Sequence, residues 1–533
     1  MSYPVPLRSA AHLALAIVIL AVSAATARAQ RAAYVVQTTA GFLAGFPRPA
    51  GGMQFLGIPY AEPPVGDLRW REPVPAKPWT GLRDATRFGA PCAQPLLAGD
   101  WNRYDAENGK EDCLYLNVIV PSWPVKGPLP VMFWIHGGAN QGGSGTGDLY
   151  NEGTLPGHGV VVVTINYRLS IFGFFAHPGL TQESPHHASG NYGLMDQILA
   201  LHWVRDNIAA FGGDPNNITV FGQSAGSLDT GLLMTTPLAR GLFQRAIAES
   251  GAAFSPAPAT LAAAEQQGEQ VAANLHAPAG PEGIAALRKI AAPDLITQLG
   301  SLARAWPGIG PDVDGWVVAR PPAQVFLAGE EAPMPLLIGT TSREFGNAGS
   351  GDALRAAIER ATGADAPMML RLYGLADGGA GTDDPTYGTA GQQWAADNLF
   401  HCPIAAEADW HAVHSPTYEY ELDHAIPGQE AQGAVHSADL PYVFGSFPKT
   451  GNIGGSFGAD DTKLADLMET YWTNFARSGD PNGSGLTHWA EVNGAHRFLI
   501  FTQAGAAAMS TGPLRAPMCA LYRKELEERM KIQ

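Results

Sequence analysis

Residues 218–226 constrain the fold more than any other stretch of this chain. Ile218-Thr219-Val220-Phe221 has the β-branched, apolar composition of a strand covered on both faces. Gly222-Gln223-Ser224-Ala225-Gly226 follows at once, and the residues beyond it suit a helix. A serine on so tight a strand-to-helix turn takes strained backbone angles. Small residues two positions before and after it let neighbouring backbone pass close by. The turn lifts the hydroxyl out at the carboxyl end of a sheet and aims the Ala225 backbone N–H at the group the hydroxyl attacks. The pentapeptide alone is a weak signal. Its strand–turn–helix setting makes it a nucleophile elbow.

The flanking sequence supports an open sheet. Val131 to Ile135 is a short apolar run ending in His136-Gly137-Gly138, and Val160 to Ile165 is another continuous run. Leu194, Ile198, Leu201, Val204 and Ile208 recur at helical spacing, so residues 191–210 read as a helix stopped by Gly212-Gly213. Leu336 to Ile338 and Tyr418 to Leu422 read as further strands. Strand, helix, strand in this order implies a central, mostly parallel sheet with helices on both faces. The stretches 255–330 and 350–410 are Ala-, Pro- and Gly-rich and read as helical excursions above that sheet. No internal repeat or polar linker divides the chain, so residues 30–533 are expected to form one α/β domain.

The first 29 residues read as a signal peptide. Arg8 is followed by an apolar stretch from Leu13 to Val22 and by small residues at Ala27 and Ala29. A membrane anchor is the competing reading, but the stretch falls short of the roughly 20 residues a spanning helix needs. The mature chain is therefore expected to be secreted or periplasmic, with no stable membrane insertion. Cys92, Cys113, Cys402 and Cys519 make an even count behind an export signal, as two disulfides in an oxidising compartment require. Their number alone leaves three pairings open, and their spacing matches no zinc site. The net charge of −16 and the absence of Lys/Arg runs argue against a nucleic-acid partner. Nothing in the sequence reports on oligomeric state.

Longer matches narrow the reading. Phe211-Gly212-Gly213, Ile218, Val220 and Gly222 to Gly226 together resemble the serine signature of the type-B carboxylesterase and cholinesterase family. Glu111-Asp112-Cys113-Leu114-Tyr115-Leu116-Asn117-Val118 resembles that family's second signature. Similarity also runs through Phe55 to Ala61, Asn166-Tyr167-Arg168 and Phe475 to Asn482, covering nearly all of the mature chain. The resemblance implies the α/β-hydrolase fold and a serine carboxylester hydrolase acting on a small-molecule ester. It also implies the pairs Cys92–Cys113 and Cys402–Cys519.

A serine hydroxyl needs a base, and the base an orienting acid, in the chain order Ser, Asp/Glu, His for this fold. With 15 histidines, composition cannot choose the base. The resemblance of Gly433 to His436 and Pro441 to Gly445 to the family's histidine segment implies His436, whose bland alternative is a solvent-exposed loop histidine. Leu337 to Glu344 is similar to the family's acid loop and implies Glu344, with Asp423 and Asp439 as competitors. Phe345 departs from the glycine common at the next position. Ser250 matches a serine that supports the acid, or merely packs beside the next strand. His136-Gly137-Gly138-Ala139 resembles the esterase oxyanion motif, so Gly138, Ala139 and Ala225 are the expected oxyanion donors. Asn140 stands where the family usually carries an aromatic. It is expected either to bind substrate beside the oxyanion hole or to cap its own turn.

Gln223 stands where many family members carry glutamate, a carboxylate that helps cationic substrates in cholinesterases. Its neutrality points to an uncharged ester. Trp101 lies in the loop of the cholinesterase cation-binding tryptophan, but its spacing from Cys113 differs, so that role is not carried over. The acyl-enzyme chemistry calls for no metal and no organic cofactor. An amidase or lipase with the same triad is the near alternative, and a non-catalytic cholinesterase-like binding protein the distant one.

Overall fold

The computed structural model describes residues 34–532 apart from 279, 301–308 and 494–495. The export segment expected over residues 1–29 lies outside the described residues. Among the described residues one sheet of eleven strands runs through the molecule. Its strands are β1 (Phe46–Pro47), β2 (Met53–Pro59), β3 (Tyr115–Val120) and β4 (Leu129–Ile135). Then come β5 (Val161–Ile165), β6 (Gly213–Gln223), β7 (Arg245–Glu249) and β8 (Leu336–Thr341). β9 (Thr417–Leu422), β10 (Leu499–Phe501) and β11 (Ala507–Met509) complete it. Their order across the sheet is β11-β10-β9-β8-β7-β6-β4-β5-β3-β2-β1. The seven strands from β10 to β5 pair in parallel, and both edges are antiparallel. The expected parallel centre is present, while the antiparallel edges were not read from sequence. A small separate sheet joins Val35–Gln37, Phe42–Ala44 and Leu82–Asp84.

Period-2 alternation assigns the two faces. Phe133, Ile135, Val163, Val220, Ala246, Ala248 and Ile338 point to one side. There they pack against Leu194, Ile198, Leu201 and Val204 of helix α1 (Tyr192–Asn207) and against Leu228 and Leu232 of α2 (Ala225–Thr235). Met132, Trp134, Val162, Phe221, Ile247, Leu337 and Tyr420 point to the other side. They meet Leu464, Met468, Trp472 and Phe475 of α4 (Ala459–Ser478). Helix α3 (Cys402–His411) packs along β8 and β9. The predicted helix 191–210 is α-helical only to Asn207. A 3-10 turn, Ile208–Phe211, finishes it before Gly212 takes a left-handed conformation at φ 82°. The excursion 350–410 carries its own apolar cluster of Leu354, Ile358, Met369, Tyr373 and Trp394.

Two disulfides close loops around this frame, Cys92–Cys113 and Cys402–Cys519. The second joins the start of α3 to the C-terminal helix α5 (Met518–Ile532). Among the described residues no helix is long and apolar enough to cross a membrane. Because Cys402 and Cys519 lie 117 residues apart, opening that bridge releases a long loop in the unfolded chain. Chain entropy sets the loss at about 4–5 kcal/mol. The double variant Cys402→Ser/Cys519→Ser should therefore unfold at lower temperature and lower denaturant than the parent, as measured by calorimetry and urea titration.

Candidate active site

The expected site residues converge at the carboxyl ends of the central strands, where open α/β sheets keep their sites. Ser224 directly follows β6, His136 follows β4, Glu344 lies just beyond β8, and His436 lies in the segment after β9. Ser224 adopts φ 58°, ψ −122°, the strained elbow conformation, and its N–H donates to Glu249 O of β7 at 2.8 Å. The glycines on either side are fixed by close approach. A Cβ at Gly226 would stand 2.0 Å from Ile135 O, and one at Gly222 would stand 2.4 Å from Gly226 O.

Glu344 and His436 reach each other from different loops. Arg343 N donates to Ala434 O at 2.9 Å, which ties the two loops together immediately before both side chains. His436 Nδ1 donates to Glu344 Oε2. Glu344 Oε1 accepts from Thr340 Oγ1 at 2.7 Å and from Thr341 N at 3.0 Å. Burial opposes ionisation of this carboxyl, but attraction to and hydrogen bonding with His436, then Ser250 and Thr340, outweigh burial and hold its pKa down to about 2. Ser250 is buried, and its hydroxyl adds to that lowering. The competing acids are engaged elsewhere: Asp423 accepts from Ser342 Oγ at 2.8 Å and Asp439 from Tyr420 OH at 2.9 Å.

Gln223 is buried, and its carboxamide nitrogen lies 3.2 Å from His436 Nε2. With Nδ1–H given to Glu344, Nε2 carries the lone pair and accepts from the Gln223 amide, so the tautomer is the one a general base requires. No hydrogen bond joins Ser224 Oγ to Nε2 in this state, a bond that commonly tightens only with substrate.

The turn after β4 holds three consecutive positive φ angles: Gly138 117°, Ala139 57° and Asn140 56°. Only glycine fits at 138, where a Cβ would stand 2.0 Å from Gly142 O and 3.1 Å from Trp101 Cη2. Gln141 N and Gly142 N close the turn on Gly138 O at 2.9 and 3.0 Å. Among the described residues the N–H groups of Gly138, Ala139 and Ala225 donate to no backbone carbonyl, which leaves them available to an oxyanion. His136 is buried, stacks on Tyr167 at 4.6 Å, and burial lowers its pKa to about 4, so it is neutral.

Asn140 turns its side chain into the protein. It is buried, Nδ2 donates to Asp229 Oδ1 at 2.9 Å, and Tyr167 OH lies 2.9 Å from its Oδ1. Its carbonyl accepts from Ser170 N at 2.7 Å. Asn140 therefore anchors the strained turn to α2 through Asp229, a residue sequence reasoning did not single out. Two further neighbours were missed as such. Phe345 and Phe400 lie with ring centroids 4.5 and 4.9 Å from the His436 imidazole. Phe345 was visible as a departure from glycine, whereas Phe400 had no local signal.

Asp229 makes the anchor sensitive to protons. Burial, opposed by the bonds from Asn140 and Gln197, raises its pKa from 3.8 to about 7. Below about pH 4 the carboxyl is protonated in both folded and unfolded chains. Between about pH 4 and 7 only the unfolded chain ionises, so folded-state stability falls as pH rises and is level above that window. Asp229→Asn removes this linkage. Relative to the parent it should gain stability across pH 4 to 7, on the order of a few kcal/mol, in melting curves taken over that range. Parallel curves for the two proteins would contradict it.

Comparison with known proteins agrees with this arrangement. The Carboxylesterase family model matches residues 32–366 and 367–516. The fumonisin B1 esterase of Sphingopyxis macrogoltabida is 37% identical over 492 residues, spanning 87% of this chain and 86% of that protein. The para-nitrobenzyl esterase of Bacillus subtilis is 35% identical, over 81% of this chain and 87% of its own. Human cocaine esterase is 33% identical, over 90% and 89%. A solved PNB esterase structure superposes with a TM-score of 0.79 at 31% identity, covering 93% of this chain and 99% of that one. A Geobacillus stearothermophilus carboxylesterase gives 0.77 at 32%, over 92% and 99%. With its α/β-hydrolase sheet and a serine elbow at the carboxyl end, the chain belongs to the carboxylesterase family and is a serine carboxylester hydrolase.

Proposed function

We propose that Ser224 is the nucleophile, His436 the general base and acid, and Glu344 the residue that orients the imidazole. The observation that carries this reading is the Glu344–His436 hydrogen bond beside a serine held at φ 58°. His436 Nε2 takes the Ser224 proton as Oγ attacks the ester carbonyl. The tetrahedral oxyanion is held by the N–H groups of Gly138, Ala139 and Ala225. The imidazolium then protonates the leaving alkoxide, and a water activated by the same histidine hydrolyses the acyl-enzyme. Each oxyanion donor contributes about 3–4 kcal/mol to the transition state. Glu344, at a pKa of about 2, stays ionised throughout the working range and stabilises the imidazolium at each step.

The preferred substrate is an uncharged carboxylic ester. Gln223 supports this, because a neutral carboxamide stands against His436 where a carboxylate would attract a cation. The esterase names of the relatives support ester over amide cleavage. We place the enzyme, as a single domain from about residue 30, in the periplasm or outside the cell. The two disulfides support that placement.

Ser224→Ala should lower kcat on p-nitrophenyl acetate by about 10⁴-fold or more, with KM little changed. Undiminished turnover would overturn the assignment. Rates on a short-chain ester, an anilide and an emulsified long-chain triglyceride separate esterase from amidase and lipase, and the short-chain ester should be fastest. Gln223→Glu should raise kcat/KM for acetylthiocholine relative to p-nitrophenyl acetate. An unchanged ratio would show that residue 223 does not select substrate charge.

A further inference from the structure

The residue after Glu344 turns back onto the imidazole that Glu344 holds. Phe345 meets His436 at 4.5 Å between ring centroids with planes at 88°. Phe400, from the π-helical segment Asp397–His401 that runs into α3, meets the same imidazole at 4.9 Å. The two phenyl rings meet each other at 5.1 Å and 76°, so the three rings close a triangle. Phe400 is 5% exposed and braces the group from behind, whereas Phe345 is 53% exposed. A lone exposed phenylalanine means little. This one is held by two rings and exposed beside the proton-transferring imidazole.

The chemistry determines what occupies that place. His436 must hand its proton to the leaving alkoxide, so the alcohol oxygen comes within hydrogen-bond reach of Nε2 and the alcohol's first carbons lie alongside the imidazole. The carbonyl oxygen is drawn the other way, toward Gly138, Ala139 and Ala225. The nearest cation in the acid loop does not reach this wall. Arg343 spends its guanidinium on the carbonyls of Pro385, Thr386 and Ala431. Beside the Gln223 amide at Nε2, the surface that Phe345 offers to the alcohol is apolar and aromatic.

We propose that Phe345, braced by Phe400, is a specificity-determining residue that receives the alcohol portion of the ester and favours apolar, above all aromatic, alcohols. The proposal rests on the role given to His436 above. Acetate esters of benzyl alcohol and methanol, with methyl benzoate as an acyl-side control, test it in the parent and in Phe345→Gly and Phe345→Leu. In Phe345→Gly the ratio of kcat/KM for benzyl over methyl acetate should fall about tenfold, which corresponds to about 1.4 kcal/mol and to the worth of an aromatic pair. The loss should sit in KM for the benzyl ester, inhibition by free benzyl alcohol should weaken in parallel, and Phe345→Leu should fall between. The ratio of methyl benzoate to methyl acetate should move less than twofold. An equal fall for benzyl and methyl acetate would make Phe345 a positioning residue only. A fall confined to methyl benzoate would place it on the acyl side, and no change would remove it from the site; each overturns the proposal. Ser224→Ala belongs in the same panel: turnover of benzyl acetate by that variant would overturn the triad itself, whereas a failure at Phe345 alone leaves it standing.

Discussion

The whole site depends on one close approach, that of the Gly222–Gly226 elbow to the end of β4. Gly226 lies so near Ile135 O that no side chain fits between them. That contact brings the amino end of α2, carrying the Ala225 N–H, against the His136–Asn140 turn. Backbone N–H groups from two segments far apart in sequence, free of backbone acceptors among the described residues, are thereby gathered in one place. The cost is backbone strain, at Ser224 and at three consecutive residues of the turn. The strain is absorbed by parallel-sheet hydrogen bonding on one side and by the Asn140–Asp229–Tyr167 contacts on the other.

Electrostatics then separate the acids around the site. Burial raises the pKa of Asp229 to about 7, and burial, then repulsion from Glu344, raises Asp439 to about 6. Glu249 is pushed up by burial and by Asp439, and accepts from Trp472 Nε1 at 2.7 Å. Glu344 is as buried as these, yet its pKa falls, because it alone among them is hydrogen-bonded to the His436 imidazole. Of these acids only Glu344 is hydrogen-bonded to His436, which gives the imidazole a single carboxylate partner.

Much of the frame was legible because it is written in local patterns. The apolar runs at 131–135 and 161–165 became central strands, since a strand covered on both faces needs only apolar residues throughout. The shortest strands, toward the two edges of the sheet, were not legible. β1, β10 and β11 are two or three residues long, too short to show a period. The anchoring role of Asn140 was not legible, because an exposed turn asparagine and a buried anchoring asparagine look the same until Asp229 and Tyr167 are brought to it. Phe400 gave no signal, because its partner His436 lies 36 residues further along the chain and on another element.

By itself the sequence determined the elbow and the signatures whose resemblance named the family. These are properties of short segments whose residues must touch each other in any fold. Only the tertiary structure decided that Glu344, not Asp423 or Asp439, bonds His436, that Gln223 faces the imidazole, and that two phenyl rings close around it. Those pairings join residues from separate crossovers, and the register and packing of the sheet, not any local propensity, set which of them meet.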